Sequence, residues 1–533
     1  MRRYRATFLL LSISIATAAT LAAQSRARPS LEAADIDAIA TLLELEDART
    51  YDASALGRIL ESAHPEVRRR AVQSVGRIGD KKGATLLEIA RKDKDVEVAA
   101  TAAWAAGQLR DPAAVPWLSE SLNGSGTPPT IQREAAIALG KIQAPESRTA
   151  LARYLSETPV ARAPTSVVGE ALLAIGRFPP QDDIAAIVRW AASQDVELRW
   201  RTAWALFRPR HPAALPHLLR LADDSSPDVR FRAVRGLAPY PNLDPAPSAA
   251  RLRAAVRDRD RRVRTEALRA LSQHDDDASF ALVMSMLTSP DAWLSVSAAE
   301  GLARYTTRAD VIVPQLVAAA GADRPLALRL TARQALPRLG PAGKAALDVV
   351  TTEGLPSLAP AVRGARPVPQ LRSDAEYRQV VERWIVSNYN GARPPRAELV
   401  TARGTIELEF HPGDAPLGLE YFIRVTESGE IVGTEFSRVV PNFVAQQRGI
   451  RNDVVLRDEV SRRGLTRGNL SWASAGLDTG RPGYTLGVTP QPHNEGNFTA
   501  LGRVVRGMDV LERLQLGDTI TGARMLKYAG GDR

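Results

Sequence analysis

Side chains able to do covalent or metal chemistry are scarce in this chain of 533 residues, which has no cysteine and six histidines. Without cysteine there are no thiolate nucleophiles, thiolate metal sites, disulfides or lipid-modified N-terminal Cys. His64, His211, His217 and His274 stand alone, with no Asp or Glu at metal-ligand spacing, so they are expected in loops or at the surface and no metal or cofactor is expected. Charge and aromatic contact remain. Arg438 lies in an alternating strand within FSRVVPNFVAQQ, Phe436 to Gln447, ahead of the aromatic Phe443 and the amide Gln446. A strand arginine taken alone reads as a half-buried partner in an ion pair.

The elements around these residues fall into two textures. The chain is too long for a single hydrophobic core. Its hydrophobic content of 44% is that of a globular protein, while only 5% is aromatic and Ala and Leu crowd the first two thirds. The N-terminus reads MRRYRATFLLLSISIATAATLAAQS. Three arginines precede an apolar core, Phe8 to Ile15, and small residues end at Ala22-Ala23 before Gln24. This is the layout of a secretory signal peptide over residues 1–23, with an uncleaved anchor as the alternative. The mature chain is then expected to be exported, periplasmic or extracellular, with no transmembrane segment after signal removal. The net charge of +10 falls to +7 once Arg2, Arg3 and Arg5 are lost (10 − 3 = 7). Acidic residues are scattered among the cations, so solvated helix faces are expected and a nucleic-acid partner is not.

Between residues 33 and 350 one pattern recurs. An aliphatic residue, often followed by Arg, precedes small and aliphatic residues at helical spacing. Copies start at Val67, Val98, Ile131, Val167, Leu198, Val229, Val263, Leu294 and Leu328, spaced 31 to 36 residues apart. A second helix precedes each signature, as in ATLLEIARK from Ala84. Two helices per steady period describe a helical-hairpin solenoid, whose small residues let helices approach closely. Ser226-Pro227-Asp228 is expected to cap one signature helix, and His64-Pro65-Glu66 to do so less well. Trp104, Trp200, Trp204 and Trp293 are expected in core or groove packing, with a partner surface as the alternative. The signature resembles the short bacterial HEAT repeats, which implies a scaffold with a protein partner in the solenoid groove.

The signature stops near residue 351. Residues 351–396 read as a Pro/Ala-rich linker and a helix, suited to tethering with some freedom. From residue 397 to 530 short strands alternate with Gly and Pro. Ordered blocks here resemble the cyclophilin family of prolyl isomerases: Gly404 to Leu408, Ala415-Pro416 through Tyr421-Phe422, FSRVVPNFVAQQ, Asp458-Glu459, GNLSWA at Gly468 to Ala473, PHNEGNFTALGRV at Pro492 to Val504, and Gly507-Met508-Asp509-Val510. The fold class expected is therefore a multidomain chain: an all-α HEAT-like superhelical solenoid, then a cyclophilin-like closed antiparallel β-barrel with two capping helices.

The resemblance also implies the chemistry. C–N resonance makes X–Pro rotation slow, with a barrier of about 18–20 kcal/mol. A cation aimed at the prolyl nitrogen lone pair withdraws it from resonance, and an apolar pocket holds the twisted state. By motif alignment the catalytic cation is Arg438, with Phe443, Gln446, Ala473, Thr485, Asn494 and Phe498 as substrate-binding residues. Several positions depart from the family: Ser437 for His, Gly483 for Gln, Thr485 for Phe and Asn494 for Leu. One aromatic wall is kept and the opposite one is eroded. Two functions are therefore weighed. One is an exported prolyl cis–trans isomerase that assists folding of proline-containing clients on a HEAT scaffold. The alternative is a non-catalytic scaffold whose degenerate domain only binds proline-containing peptides.

Overall fold

The computed structural model describes residues 28–180, 184–353, 355, 371–450, 456–480 and 483–526. The expected signal peptide and most of the Pro/Ala-rich stretch lie outside the described residues.

The first part is an array of paired helices. Its signature helices include Pro65–Ile78, Val96–Leu109, Pro129–Ile142, Val196–Phe207, Pro227–Arg235, Arg261–Leu271 and Ala292–Leu302. Of the leading aliphatic residues, Val67, Val98, Val167, Val229 and Val263 are fully buried, and Ile131 is half-buried. The glycine that closes several signatures marks where neighbouring helices touch. A Cβ on Gly107 would lie 2.8 Å from the Ala138 Cα, and one on Gly140 2.8 Å from the Ala174 Cα. Only hydrogen fits between these backbones.

The Arg of the signature has a repeated task. Arg68, Arg199 and Arg230 pair with Asp93, Asp224 and Asp258 of the following repeat at 2.7, 2.7 and 2.8 Å. A second guanidinium nitrogen of each reaches two carbonyls just before its own helix: Ser62 and Ala63, Ser193 and Gln194, and Asp224 and Ser225. One side chain thus satisfies loop carbonyls and bridges adjacent repeats.

Some local expectations change. Ser226 occupies the N-cap position, but its side chain makes no capping bond. His64 does cap, its Nδ1 accepting from the Glu66 amide at 3.2 Å. His64 and His274 are buried rather than at the surface, and His274 Nε2 lies 3.0 Å from the Leu237 carbonyl. Trp104, Trp200, Trp204 and Trp293 are all buried. Trp293 belongs to an apolar cluster that continues into the C-terminal domain.

The helical end of the joint is docked on the array. Ser373 and Glu376 form a reciprocal capping box at the helix Asp374–Val380, which runs through a π-helical stretch, Val381–Val386, to Tyr389. This helix packs on the first array helix, Ala33–Ala48, where the Tyr377 hydroxyl donates to Asp47 at 2.8 Å.

The C-terminal part is a curled antiparallel sheet of eight strands: β1 Arg396–Thr401, β2 Gly404–Phe410, β3 Phe436–Val440, β4 Val444–Gln447, β5 Asn469–Trp472, β6 Tyr484–Gly487, β7 Gly502–Arg506 and β8 Ile520–Met525. Their order is β3-β4-β6-β5-β7-β2-β1-β8. The end strands meet at a bridge between Glu435 and Thr519, reinforced by the Phe436 amide donating to the Asp518 carbonyl at 2.8 Å. Inward residues such as Ile406, Leu408, Phe410, Phe436 and Leu486 are fully buried. The helix Pro416–Glu427 plugs one end, with Phe422 between Phe410 and Tyr484 at ring distances of 4.8 and 5.9 Å. The second capping helix is one turn, Met508–Leu511.

The C-terminal domain occupies the inner face of the array. Arg77 donates to the Val460 carbonyl at 2.8 Å and to the Asp414 carbonyl at 2.5 Å. Arg462 reaches Thr101 at 3.3 Å and Glu134 at 3.1 Å. Arg177 donates to the Pro492 carbonyl at 2.6 Å, Arg232 to Pro490 at 3.0 Å and Arg269 to Pro441 at 3.3 Å. These contacts run from the copy at Val67 to the copy at Val263. At about 8–10 Å per helix, a straight stack of these copies would span roughly 50 Å, whereas a domain of this size is about 35 Å across. The arginine side chains at the two ends of this row reach inward to the domain.

Candidate functional site

Strand register places the chemistry. Arg438 on β3 faces Gln446 on β4, Gln446 faces Thr485 on β6, and Thr485 faces Ser471 on β5. Directly opposed residues share a face of the sheet, so Arg438, Gln446 and Thr485 form one row. Arg438 Nη1 lies 3.5 Å from Gln446 Oε1, and its guanidinium carbon lies 5.6 Å from the centre of the Phe443 ring. Arg438 has no carboxylate partner among the described residues. Partial burial lowers its pKa from the usual arginine value, yet an arginine stays charged under ordinary conditions. The ion-pair reading of this side chain is not what the structure contains.

Phe443 closes the β3–β4 turn. Asn442 before it has a left-handed backbone (φ 61°), and its Nδ2 donates to the Arg262 carbonyl of the array at 2.8 Å. The Phe443 carbonyl accepts from the Val488 amide at 2.9 Å and from Gln491 Nε2 at 3.2 Å. The ring stacks on His493, 5.7 Å between centroids and 25° between planes. Burial and the charges of Arg208, Arg235, Arg232 and Arg177 hold His493 down to about 4, so the imidazole is neutral near pH 7.

The remaining expected residues are placed less centrally. Asn494 Nδ2 donates to Gln491 Oε1 at 2.9 Å, which links it to the Phe443 turn through Gln491. The Ala473 amide donates to the Gly483 carbonyl at 2.7 Å, at the end of the β5–β6 ladder. Phe498 is half-buried, and among the described residues no ring contact or hydrogen bond joins it to Arg438, Phe443 or Gln446. His493 and Gln491 are the site residues that sequence reasoning missed. Both sit in or beside the PHNEG segment, in which Asn494 had drawn attention instead.

Buried acids hold the frame behind the site. Glu459 accepts from the Leu417 and Gly418 amides at the start of the plug helix, at 3.0 and 2.7 Å. Asp458 accepts from Thr499 Oγ1 at 2.9 Å and from the Asp478 amide at 2.8 Å. Burial pushes Glu459 up to about 7 and Asp458 up to about 6.

Arg438 opens on a cleft of about 370 Å³. The domain supplies one wall, including Ser437, Val440 and Leu516, and the array supplies the other, including Val296, Glu300, Thr331 and Arg338. A cation without a carboxylate partner among the described residues, an aromatic pair and an open cleft suit noncovalent work on a bound chain. Among the described residues no three His, Asp or Glu side chains gather as a metal site would require.

Comparison with known proteins fits this geometry. The family described as cyclophilin type peptidyl-prolyl cis-trans isomerase/CLD matches residues 396–528, and HEAT repeats match residues 83–168, 160–238 and 220–303. A peptidyl-prolyl cis-trans isomerase of Synechococcus elongatus is 30% identical over 142 residues, which are 25% of this chain and 98% of that protein. One of Helicobacter pylori is 30% identical over 139 residues, 24% of this chain and 85% of that protein.

The chain belongs to the cyclophilin-type peptidyl-prolyl cis-trans isomerases.

Isomerase B of Bacillus subtilis is likewise 30% identical over 128 residues, 22% of this chain and 90% of that protein. A solved cyclophilin type isomerase of Cryptosporidium parvum is 18% identical and covers 25% of this chain and 98% of its own, with a TM-score of 0.24. The cyclophilin domain is thus a quarter of this chain, joined to HEAT repeats that these relatives' matched segments do not include. Among the described residues no helix is long and apolar enough to cross a membrane.

Proposed function

We propose that the cyclophilin domain isomerises X–Pro bonds of polypeptides outside the cytoplasm, with the HEAT array as its scaffold. The observation that carries this reading is Arg438: a guanidinium without a carboxylate partner among the described residues, in register with Gln446, beside the Phe443–His493 wall and open to a cleft. The ring of the client proline lies against Phe443. Arg438 donates to the prolyl nitrogen as the amide twists, because the lone pair becomes available only when resonance is lost. Gln446 donates through its amide to the client backbone and steadies the neighbouring peptide. No bond is made or broken. The client's passage outside the cytoplasm rests on the N-terminal run of charged, apolar and small residues. That part of the reading is tested by N-terminal sequencing of the exported protein, which should begin at Gln24.

The second reading, a peptide-binding scaffold without catalysis, rests only on Thr485 and Asn494 in place of apolar pocket residues. The experiment that separates the two is cis–trans exchange of an Ala-Pro peptide followed by NMR with the full-length protein. Acceleration is expected, and Arg438→Ala should lower kcat/KM by about 10²-fold, the size seen when one preorganised donor to the transition state is removed. A folded wild-type protein that binds the peptide without accelerating exchange would sink the isomerase reading.

A further inference from the structure

The cleft beside Arg438 does not end with the residues already described. Glu300 lines it, and Glu300 also lines a second cleft of about 290 Å³ on the same inner face of the array, bounded by Arg208, Arg210, Arg235, Arg269 and Arg304. The two are joined at Arg269, which lies 3.8 Å from Glu300 and donates to the Pro441 carbonyl in the turn that carries Phe443. A chain leaving the prolyl site along the array meets this surface next.

Its charge is one-sided. The two carboxylates in the lining are already engaged, Glu266 with Arg235 at 3.5 Å and Glu300 with Arg269. Arg208, Arg210 and Arg304 have no carboxylate partner among the described residues. The Arg208 guanidinium lies over Trp204 and that of Arg210 over Tyr240, at 5.3 and 4.6 Å from the ring centres, and Arg210 Nη2 also donates to the Pro239 carbonyl at 2.5 Å. Stacking on a ring holds the guanidinium plane and leaves edge donors for a ligand. Arg208 and Arg304 are exposed. Partial burial and the charge of Arg235 lower the Arg208 pKa, a sign of cations crowded without counter-charge.

We propose that this arginine-lined cleft is a subsite for acidic residues beside the client proline, so that the array selects the segments presented to Arg438. Guanidinium groups pair with carboxylates through two parallel hydrogen bonds. The array then acts on the substrate directly as well as holding the domain. The proposal rests on the isomerase reading only for the position of the proline.

The test uses the full-length protein and three labelled Ala-Pro peptides that differ in flanking residues: glutamate, serine or lysine. Dissociation constants come from fluorescence anisotropy and isomerisation rates from NMR exchange. At low salt the glutamate peptide should bind at least about tenfold tighter than the lysine peptide, with the difference shrinking at about 0.3 M salt. The Arg208→Ala/Arg304→Ala double variant should lower that ratio at least threefold. Arg304→Glu, a single change at an exposed site, should lower it further. Arg438→Ala should lose catalysis and keep the charge preference. Equal binding of the glutamate and lysine peptides, with Arg438-dependent catalysis present, would overturn the subsite and leave the isomerase. A charge preference without catalysis would overturn the isomerase and leave the subsite. Failure of all three peptides to bind would overturn both.

Discussion

The ring of His493 stacks on that of Phe443, and the loop that carries His493 is held by the array through Arg177 on the Pro492 carbonyl and Arg232 on the Pro490 carbonyl. One half of the aromatic wall is therefore positioned from outside the barrel. Aromatic pairs of this kind contribute about 0.5–1.5 kcal/mol. His493→Ala is expected to lower kcat/KM for an Ala-Pro peptide two- to tenfold, as read by NMR exchange. The imidazole is held down to about 4, so wild-type activity should be flat from pH 8 to about 5 and fall below that as a cation forms in the wall. A titration centred near 6.5 would show that the arginines do not hold His493 neutral.

Thr485 stands in the row with Gln446 and Ser471, half-buried, where the family carries an apolar ring. Filling that position should restore contact with the proline ring. Burial of a phenylalanine side chain stabilises by about 1.5–3 kcal/mol. Thr485→Phe is expected to raise kcat/KM about tenfold, with most of the gain in KM. No gain from a folded variant would show that the missing wall does not limit the reaction.

Glu459 supplies a pH signature of stability. Its folded pKa, about 7, exceeds the ordinary carboxyl value of 4.5, so between these values the folded state binds a proton that the unfolded chain does not. Stability from this group then falls as pH rises from 4.5 to 7. Glu459→Gln removes that proton while keeping an amide oxygen for one of the two amides, Leu417 or Gly418, which donate to different carboxylate oxygens. The melting temperature of the wild type, relative to the variant, should rise on going from pH 7 to pH 5. A constant difference across that range would mean that the two amide bonds and Arg77 keep the carboxylate ionised.

Arg–Asp pairs within the array differ in worth by burial. Arg230 and Asp258 are mostly shielded, with 16% and 11% of their side chains exposed, and Arg230 also holds two loop carbonyls. Arg253 and Asp276 are 30% and 44% exposed. Arg230→Ala should destabilise by about 2–3 kcal/mol because it leaves a shielded carboxylate and two acceptors unpaired. Arg253→Ala should change stability by less than about 1 kcal/mol. Urea denaturation midpoints of the two variants check the order.

The array was legible because its cause is periodic. The buried valines and the small residues at Gly107 and Gly140 recur with the repeat, and the arginines that follow Val67, Leu198 and Val229 proved to have a structural task. The barrel was legible through blocks such as FSRVVPNFVAQQ, whose strand–turn–strand register brings Arg438 opposite Gln446. His493 was not legible, because its partner Phe443 is distant in sequence and its neutrality depends on arginines from several repeats. Nor was the docking of the two parts. Arg177, Arg232 and Arg269 look like solvated charges in a helical pattern. Only the folded array brings them to the carbonyls of Pro492, Pro490 and Pro441.

Repeat arrays ordinarily lengthen and shorten in evolution with little penalty, since each unit needs only its neighbours. The barrel seated on this array removes that freedom. A duplicated or deleted repeat between Arg77 and Arg269 would carry every later contact about one helix spacing away from its carbonyl on the barrel. The number of repeats in this interval is thus fixed by the dimensions of the barrel, and change in copy number is open only beyond its reach.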